Sequence, residues 1–130
     1  MNKYIQPQET FTFRYRMSSK DEFYGGGVVN GSRSITLMGD LADRIAAKVF
    51  GNSGQCIAVP KIRLYASVYA GDYMEYIGRV TKLENDEIAI ECRSFKIVVT
   101  PENPPFPSSV DVLEDPILST VVHFTYKSRA

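Results

Sequence analysis

The feature that most constrains this chain is a single change of hydrophobic period. Across residues 32–50, Ile35, Met38, Leu41, Ala42, Ile45, Ala46 and Val49 recur at three- and four-residue steps, which makes one apolar stripe on a helix. Gly51-Asn52-Ser53-Gly54 ends it, as a glycine after the last turn should. Every other patterned stretch alternates, the period of a half-buried strand. Phe11, Phe13, Tyr15 and Met17 oppose Thr12, Arg14 and Arg16. Residues 55–69 place Ile62, Leu64, Ala66 and Val68 on one face. Residues 72–83 set Met74, Tyr76, Gly78 and Val80 against Tyr73, Glu75, Ile77 and Arg79. Residues 88–99 alternate again, and residues 117–126 form a last strand with Leu118, Val122, Phe124 and Tyr126 in step. The breaks are residues 18–22, the run Gly25-Gly26-Gly27, Ala70-Gly71-Asp72, residues 84–87, and a loop holding Pro101, Pro104, Pro105 and Pro107.

The order is therefore strand, helix, then four strands, an α+β chain. With 130 residues and 44% hydrophobic composition, residues 1–130 suit one domain with one packed core. One helix cannot cover both faces of a five-stranded antiparallel sheet. The economical arrangement curves the sheet around the helix and buries the helix on the concave face. Exposed sheet edges then invite pairing with a second copy, so a homodimer or a higher even-numbered homo-oligomer is expected. A sheet with the helix on one side and the other face solvated remains compatible with the same pattern.

Fifteen basic residues balance fifteen acidic ones, and no block of like charge appears, so nothing argues for nucleic acid or a membrane surface. No run of apolar residues is long enough to span a bilayer, and the first residues lack the apolar core of a secretory signal, which makes the cytoplasm the expected location. Cys56 and Cys92 lie in unrelated strand patterns and read as two buried thiols. His123 is the only histidine and reads as a strand residue with a satisfied hydrogen bond. No metal-ligand spacing is present, so no metal is expected. Carboxylates, tyrosines and backbone amides are left as the candidate catalytic groups.

Tyr24-Gly25-Gly26, Asn30-Gly31 and Met38-Gly39-Asp40 resemble the glycine turn and central helix of hotdog acyl-CoA enzymes. Residues 68–75 resemble the hairpin between two of their long strands. Together with Glu114-Asp115-Pro116-Ile117, the chain is most similar to the β-aminoacyl-CoA ammonia lyases, over most of its length from Arg14 onward. The resemblance implies a hotdog fold and a reversible elimination, in which ammonia leaves the β-carbon of a short β-aminoacyl-CoA to give a 2-enoyl-CoA. The acyl-CoA is the substrate, and no separate cofactor is implied. Such a reaction needs a base for the α-proton, an acid for the leaving amine and donors for the developing enolate oxygen. The resemblance assigns Asp40 and Glu114 as the carboxylates. It gives the amides around Gly25, Gly26 and Gly27 as donors to the thioester oxygen, and Tyr24 as a residue orienting the substrate. Two positions depart from the family pattern: Phe23 stands where His is frequent, and Arg63 where Glu is frequent.

Those departures keep two alternatives open, a thioesterase on the same cradle and a non-catalytic CoA-binding subunit, because a fold does not fix a function. The residues carry plainer readings as well. Asp40 falls opposite the centre of the apolar stripe with Arg33 and Arg44, which also describes a solvated helix face. Glu114 sits before a proline in a loop, where most residues are simply exposed, Asp43 reads as a surface charge, and Asp21 as a brace of the glycine turn. Arg63, Arg93 and Lys96 are the basic residues that could meet the nucleotide of CoA.

Overall fold

A computed structural model describes residues 9–22 and 25–130. Phe23 and Tyr24, the latter expected to orient the substrate, lie outside the described residues. The described chain runs β1 (Thr10–Arg16), β2 (Val28–Val29), α1 (Gly31–Phe50), β3 (Gln55–Leu64), β4 (Val68–Tyr69), β5 (Tyr73–Glu84), β6 (Glu87–Val99) and β7 (Asp111–Lys127). Five strands form one antiparallel sheet in the order β1-β5-β6-β7-β3, and β2 pairs with β4 in a separate small ribbon. The sheet curves around α1, which packs on β1, β5, β6 and β7, so the expected hotdog architecture is the one observed.

Local chemistry sets the ends of α1. The Asn30 side chain accepts from the Ser32 amide, and such a cap is worth about 1 kcal/mol. At the other end Gly51 takes the left-handed conformation (φ 72°) and its amide donates to the Ala47 carbonyl. The apolar stripe faces the sheet: Leu37, Met38, Leu41, Ala42, Ile45, Ala46 and Val49 are buried against Met74, Tyr76, Ile88, Ile90, Cys92, Val122 and Phe124. Gly78 lets helix and sheet approach, since a Cβ there would stand 2.8 Å from the Ile45 Cδ1.

Three expectations need correction. β3 stops at Leu64, and its ten residues are all exposed, Ile62 and Leu64 included. Ala66 and Val68 do not continue its face, because the chain turns away and Val68 enters the β2–β4 ribbon. The alternation marked the strand and the shared face of Ile62 and Leu64, which stand opposite Val122 and Thr120, but β3 is an edge that among the described residues pairs only with β7, and that face stays exposed. Pro60 sits where the β3–β7 register shifts, between the Ala58 and Lys61 pairs, a position where a missing amide does least harm. The last strand begins at Asp111, well before residue 117. Lys96 opposes Ile117 while Val98 opposes Val112, so residues 113–116 bulge out of the ladder opposite Ile97. Glu114 therefore sits in a bulged strand rather than in a loop. Finally, Cys92 is buried as expected, but Cys56 is exposed on the β3 edge.

Candidate functional site

A cavity of about 240 Å³ opens where the start of α1 meets the ends of β3 and β7. Val28, Val29, Asn30, Gly31 and Ser34 form one wall; Leu64, Tyr65, Ala66, Ser67 and Val68 form another; Ser119 and Thr120 lie between. Two hydrogen bonds tie the second wall to β7. The Tyr65 amide donates to the Ser119 carbonyl at 2.7 Å, and the Ser119 hydroxyl donates to the Ala66 carbonyl at 2.8 Å. Behind this segment lies a buried ion pair. Lys96 Nζ is 3.1 Å from Asp72 Oδ2 and donates to the Ser67 carbonyl at 2.9 Å, while Asp72 accepts from the Tyr69 amide at 2.9 Å. One charged pair thus sets the backbone of residues 67–72, and with it a wall of the cavity. Lys96 is committed inside the fold and is not a group reaching for a nucleotide. Arg93 is exposed but pairs with Glu91, which leaves Arg63 as the exposed candidate with no such ion pair among the described residues.

The first helical turn is braced from the side of β1. Arg33 Nε donates to Asp21 Oδ1 and Arg33 Nη2 to the Tyr15 hydroxyl, both at 2.9 Å. The Ser18 amide donates to the other Asp21 oxygen at 2.8 Å, and Asp21 closes a capping box with Ser18. Burial pushes the Asp21 carboxyl up, but the Ser18 amide and the Arg33 guanidinium outweigh it and hold the group below its ordinary value. Asp21 is a brace, but of Ser18, Tyr15 and the first turn of α1 rather than of the glycine turn the sequence indicated. Inside, Tyr76 and Ser34 share a hydrogen bond of 3.1 Å, and burial pushes the Tyr76 phenol up to about 12 despite that bond.

Among the residues assigned by resemblance, the glycines form a tight turn. Gly26 and Gly27 have φ of 78° and 81°, which a side chain would strain, and the Gly27 carbonyl accepts from the Ala70 amide at 2.8 Å. The turn leads directly into β2, a cavity wall, but Gly25, Gly26 and Gly27 do not themselves line the cavity. Asp40 is exposed on the solvent side of α1, as the wheel placed it. Glu114 is exposed in the β7 bulge, beyond the point where β3 ends at the Leu64–Thr120 pair. Neither carboxylate lines the cavity, and the single chain does not bring them together there. Asp43, read as a surface charge, accepts a short hydrogen bond from the Tyr126 hydroxyl, and burial with that carboxylate drives the phenol above its ordinary range. His123 lies half-buried on β7, 3.9 Å from a Glu91 oxygen.

Apart from Asn30, sequence reasoning missed the cavity's polar residues. Ser34, Ser119 and Thr120 sit inside apolar patterns and carry no motif. Only the register brings them together.

No family model matches the chain. It is 36% identical over 105 residues to the 3-aminobutyryl-CoA ammonia lyase of Acetoanaerobium sticklandii, which covers 81% of this chain and 82% of that protein. Its structure superposes on β-alanyl-CoA:ammonia lyase from Clostridium propionicum with a TM-score of 0.85, at 25% identity over 93% of this chain and 85% of that one. The hexameric thioesterase of Yersinia pestis shares the fold alone, with a TM-score of 0.72 at 16% identity over 91% of this chain and 85% of that one. The departures at Phe23 and Arg63 notwithstanding, a helix-wrapping sheet of this order and that degree of identity place the chain in the family of the β-aminoacyl-CoA ammonia lyases.

Proposed function

We propose that this protein is a carbon–nitrogen lyase that reversibly eliminates ammonia from a short β-aminoacyl-CoA to give a 2-enoyl-CoA. The observation that carries this reading is the 36% identity to a 3-aminobutyryl-CoA ammonia lyase over most of both chains. A cavity of about 240 Å³, walled by the first turn of α1 and the residue 64–68 segment, suits a small acyl group. In the elimination a base takes the α-proton, the C–N electron pair leaves with the nitrogen, and the carbon–carbon double bond forms beside the thioester. Asp40 and Glu114 are the carboxylates proposed to move these protons. The amides of the Gly25–Gly27 turn are the donors proposed for the thioester oxygen, where negative charge develops.

The working unit is an even-numbered homo-oligomer. β3 supports this: among the described residues its outer edge has no partner strand, and Ile57, Val59, Ile62 and Leu64 are between 42% and 60% exposed along it. Pairing β3 with its copy would cover that row and bring a second chain beside the cavity mouth at Leu64 and Tyr65. The exposed positions of Asp40 and Glu114 fit a site completed by such a neighbour.

The test is crotonyl-CoA in ammonium buffer, with enoyl absorbance and free thiol followed together. The lyase removes the absorbance only when ammonium is present and releases no thiol, and Asp40→Asn and Glu114→Gln each slow it by about a hundredfold or more with the fold intact. Thiol release would instead assign a thioesterase, for which Phe23 and Arg63 would be the sequence marks. Binding of CoA without any turnover would leave a non-catalytic subunit.

A further inference from the structure

Register places Tyr76 opposite Ser94, Ser94 opposite Thr120, and Thr120 opposite Leu64, one straight rung across four strands. The neighbouring rung on the same face, Gly78-Cys92-Val122-Ile62, has no hydroxyl, whereas this one has three in a row. The helix fixes its depth. Cys92 Sγ lies 3.8 Å from the Met38 carbonyl. Two residues along a strand and four along a helix both advance about 6–7 Å. Ser94 therefore lies at the level of Ser34, whose hydroxyl meets Tyr76 on that same rung. Ser34 and Thr120 both line the cavity, and Ser94 stands beside Thr120 with no exposed surface. Among the described residues its Oγ is one of two buried side-chain oxygens without a hydrogen-bond partner. A buried hydroxyl left unpaired weakens a fold, so its presence beside a cavity calls for a partner that arrives from outside.

We propose that the Tyr76-Ser94-Thr120 row seats the β-substituent of the acyl group, and that it selects a short chain ending in an amine over a plain saturated one. The identification of that substituent as an amine rests on the lyase reading; the selection of a hydrogen-bonding group over a methyl does not. An ammonium group has three N–H donors, and three hydroxyl oxygens can accept them. Hydroxyls also suit the product. Once the C–N electron pair has moved to nitrogen, the same groups can turn and donate to the lone pair of ammonia, which a carboxylate cannot do. The neutral Tyr76 keeps its proton for this purpose at any physiological pH.

The probes are S-(3-aminopropyl)-CoA and S-propyl-CoA, thioethers that cannot undergo the elimination, titrated calorimetrically into the full chain. The wild type should prefer the amine by about tenfold or more, the range of a hydrogen bond to a charged group. Ser94→Ala and Thr120→Val should each bring the two ligands toward parity while binding of S-propyl-CoA is unchanged, and Thr120→Ser should keep the preference. Ser94→Ala should also melt at or above the wild-type temperature, because it removes an unpaired hydroxyl. Equal binding by the wild type, or a preference that survives both variants, overturns the proposal. So does a variant that loses S-propyl-CoA binding and thermal stability together, since the hydroxyls would then serve only the fold. Amine preference in a protein that shows no ammonium-dependent loss of crotonyl-CoA would remove the lyase reading and leave the seat standing.

Discussion

β6 and β3 are both rich in apolar residues, and the fold uses them in opposite ways. β6 lies in the middle of the sheet, and Ile88, Ile90 and Cys92 face α1 with 0–1% of their surface exposed. β3 lies at the edge, and all ten of its residues are exposed, among them Ile57, Val59 and Ile62. Both strands have the composition of a buried element, but only one is covered within the chain. A row of apolar side chains on a free strand edge is normally guarded by charge or by a partner. Lys61 and Arg63 pair with His123 and Val121 of β7, and the apolar residues around them stay uncovered within the chain.

The largest effect should come from Lys96, one of the two charged residues that β6 buries. Lys96→Met strands the Asp72 carboxylate, which is 4% exposed, with the Tyr69 amide as its remaining close partner. Breaking such a pair by removing one member costs about 3–5 kcal/mol, measured as the loss of unfolding free energy in urea. A loss below about 1 kcal/mol would mean that the pair does not hold the residue 67–72 segment.

The brace at the start of α1 should give a smaller, pH-dependent effect. The Asp21 carboxyl is held below its ordinary value of 3.8, so its contribution is complete above that value and is lost as pH falls through the lower folded value. The stability advantage of the wild type over Asp21→Asn should therefore be constant near neutrality and shrink as the solution is acidified below about pH 4. An advantage that persists unchanged at pH 2.5 would show that the brace works without the charge. The smallest effect on the chain itself should come from β3. Val59→Asp changes the stability of a separated chain by about 0.5 kcal/mol or less, because the side chain is already exposed, yet it should lower the assembly's molar mass in light scattering. An unchanged mass would place the contact between copies elsewhere.

These contrasts also show what the sequence could reveal. The helix was legible because its stripe, its Asn30 start and its Gly51 stop all agree, and nothing in the tertiary structure overrides them. The strands were legible as strands, but depth was not. Alternation in residues 55–69 looks the same whether the apolar side is covered or lies at a sheet edge, so it gave Ile62 and Leu64 a shared face but neither their exposure nor the end of the strand before Ala66. The bulge at residues 113–116 was hidden because Pro116 suggested a loop, whereas a bulge also accommodates proline. Of the site, the resemblance supplied Asp40, Glu114 and the glycine turn. It did not supply Ser94 or Thr120, since a serine in an apolar strand has no signature until the register shows which hydroxyls share its rung.

Fold and function meet in the statement that the lyase works as an even-numbered assembly in which the β3 edges are covered. Light scattering and ammonium-dependent loss of crotonyl-CoA absorbance, read on the same samples through a dilution series, test it most directly. The expected result is a mass that is an even multiple of 14.6 kDa, with activity per chain falling wherever that mass falls. A 14.6 kDa species with full activity would contradict it.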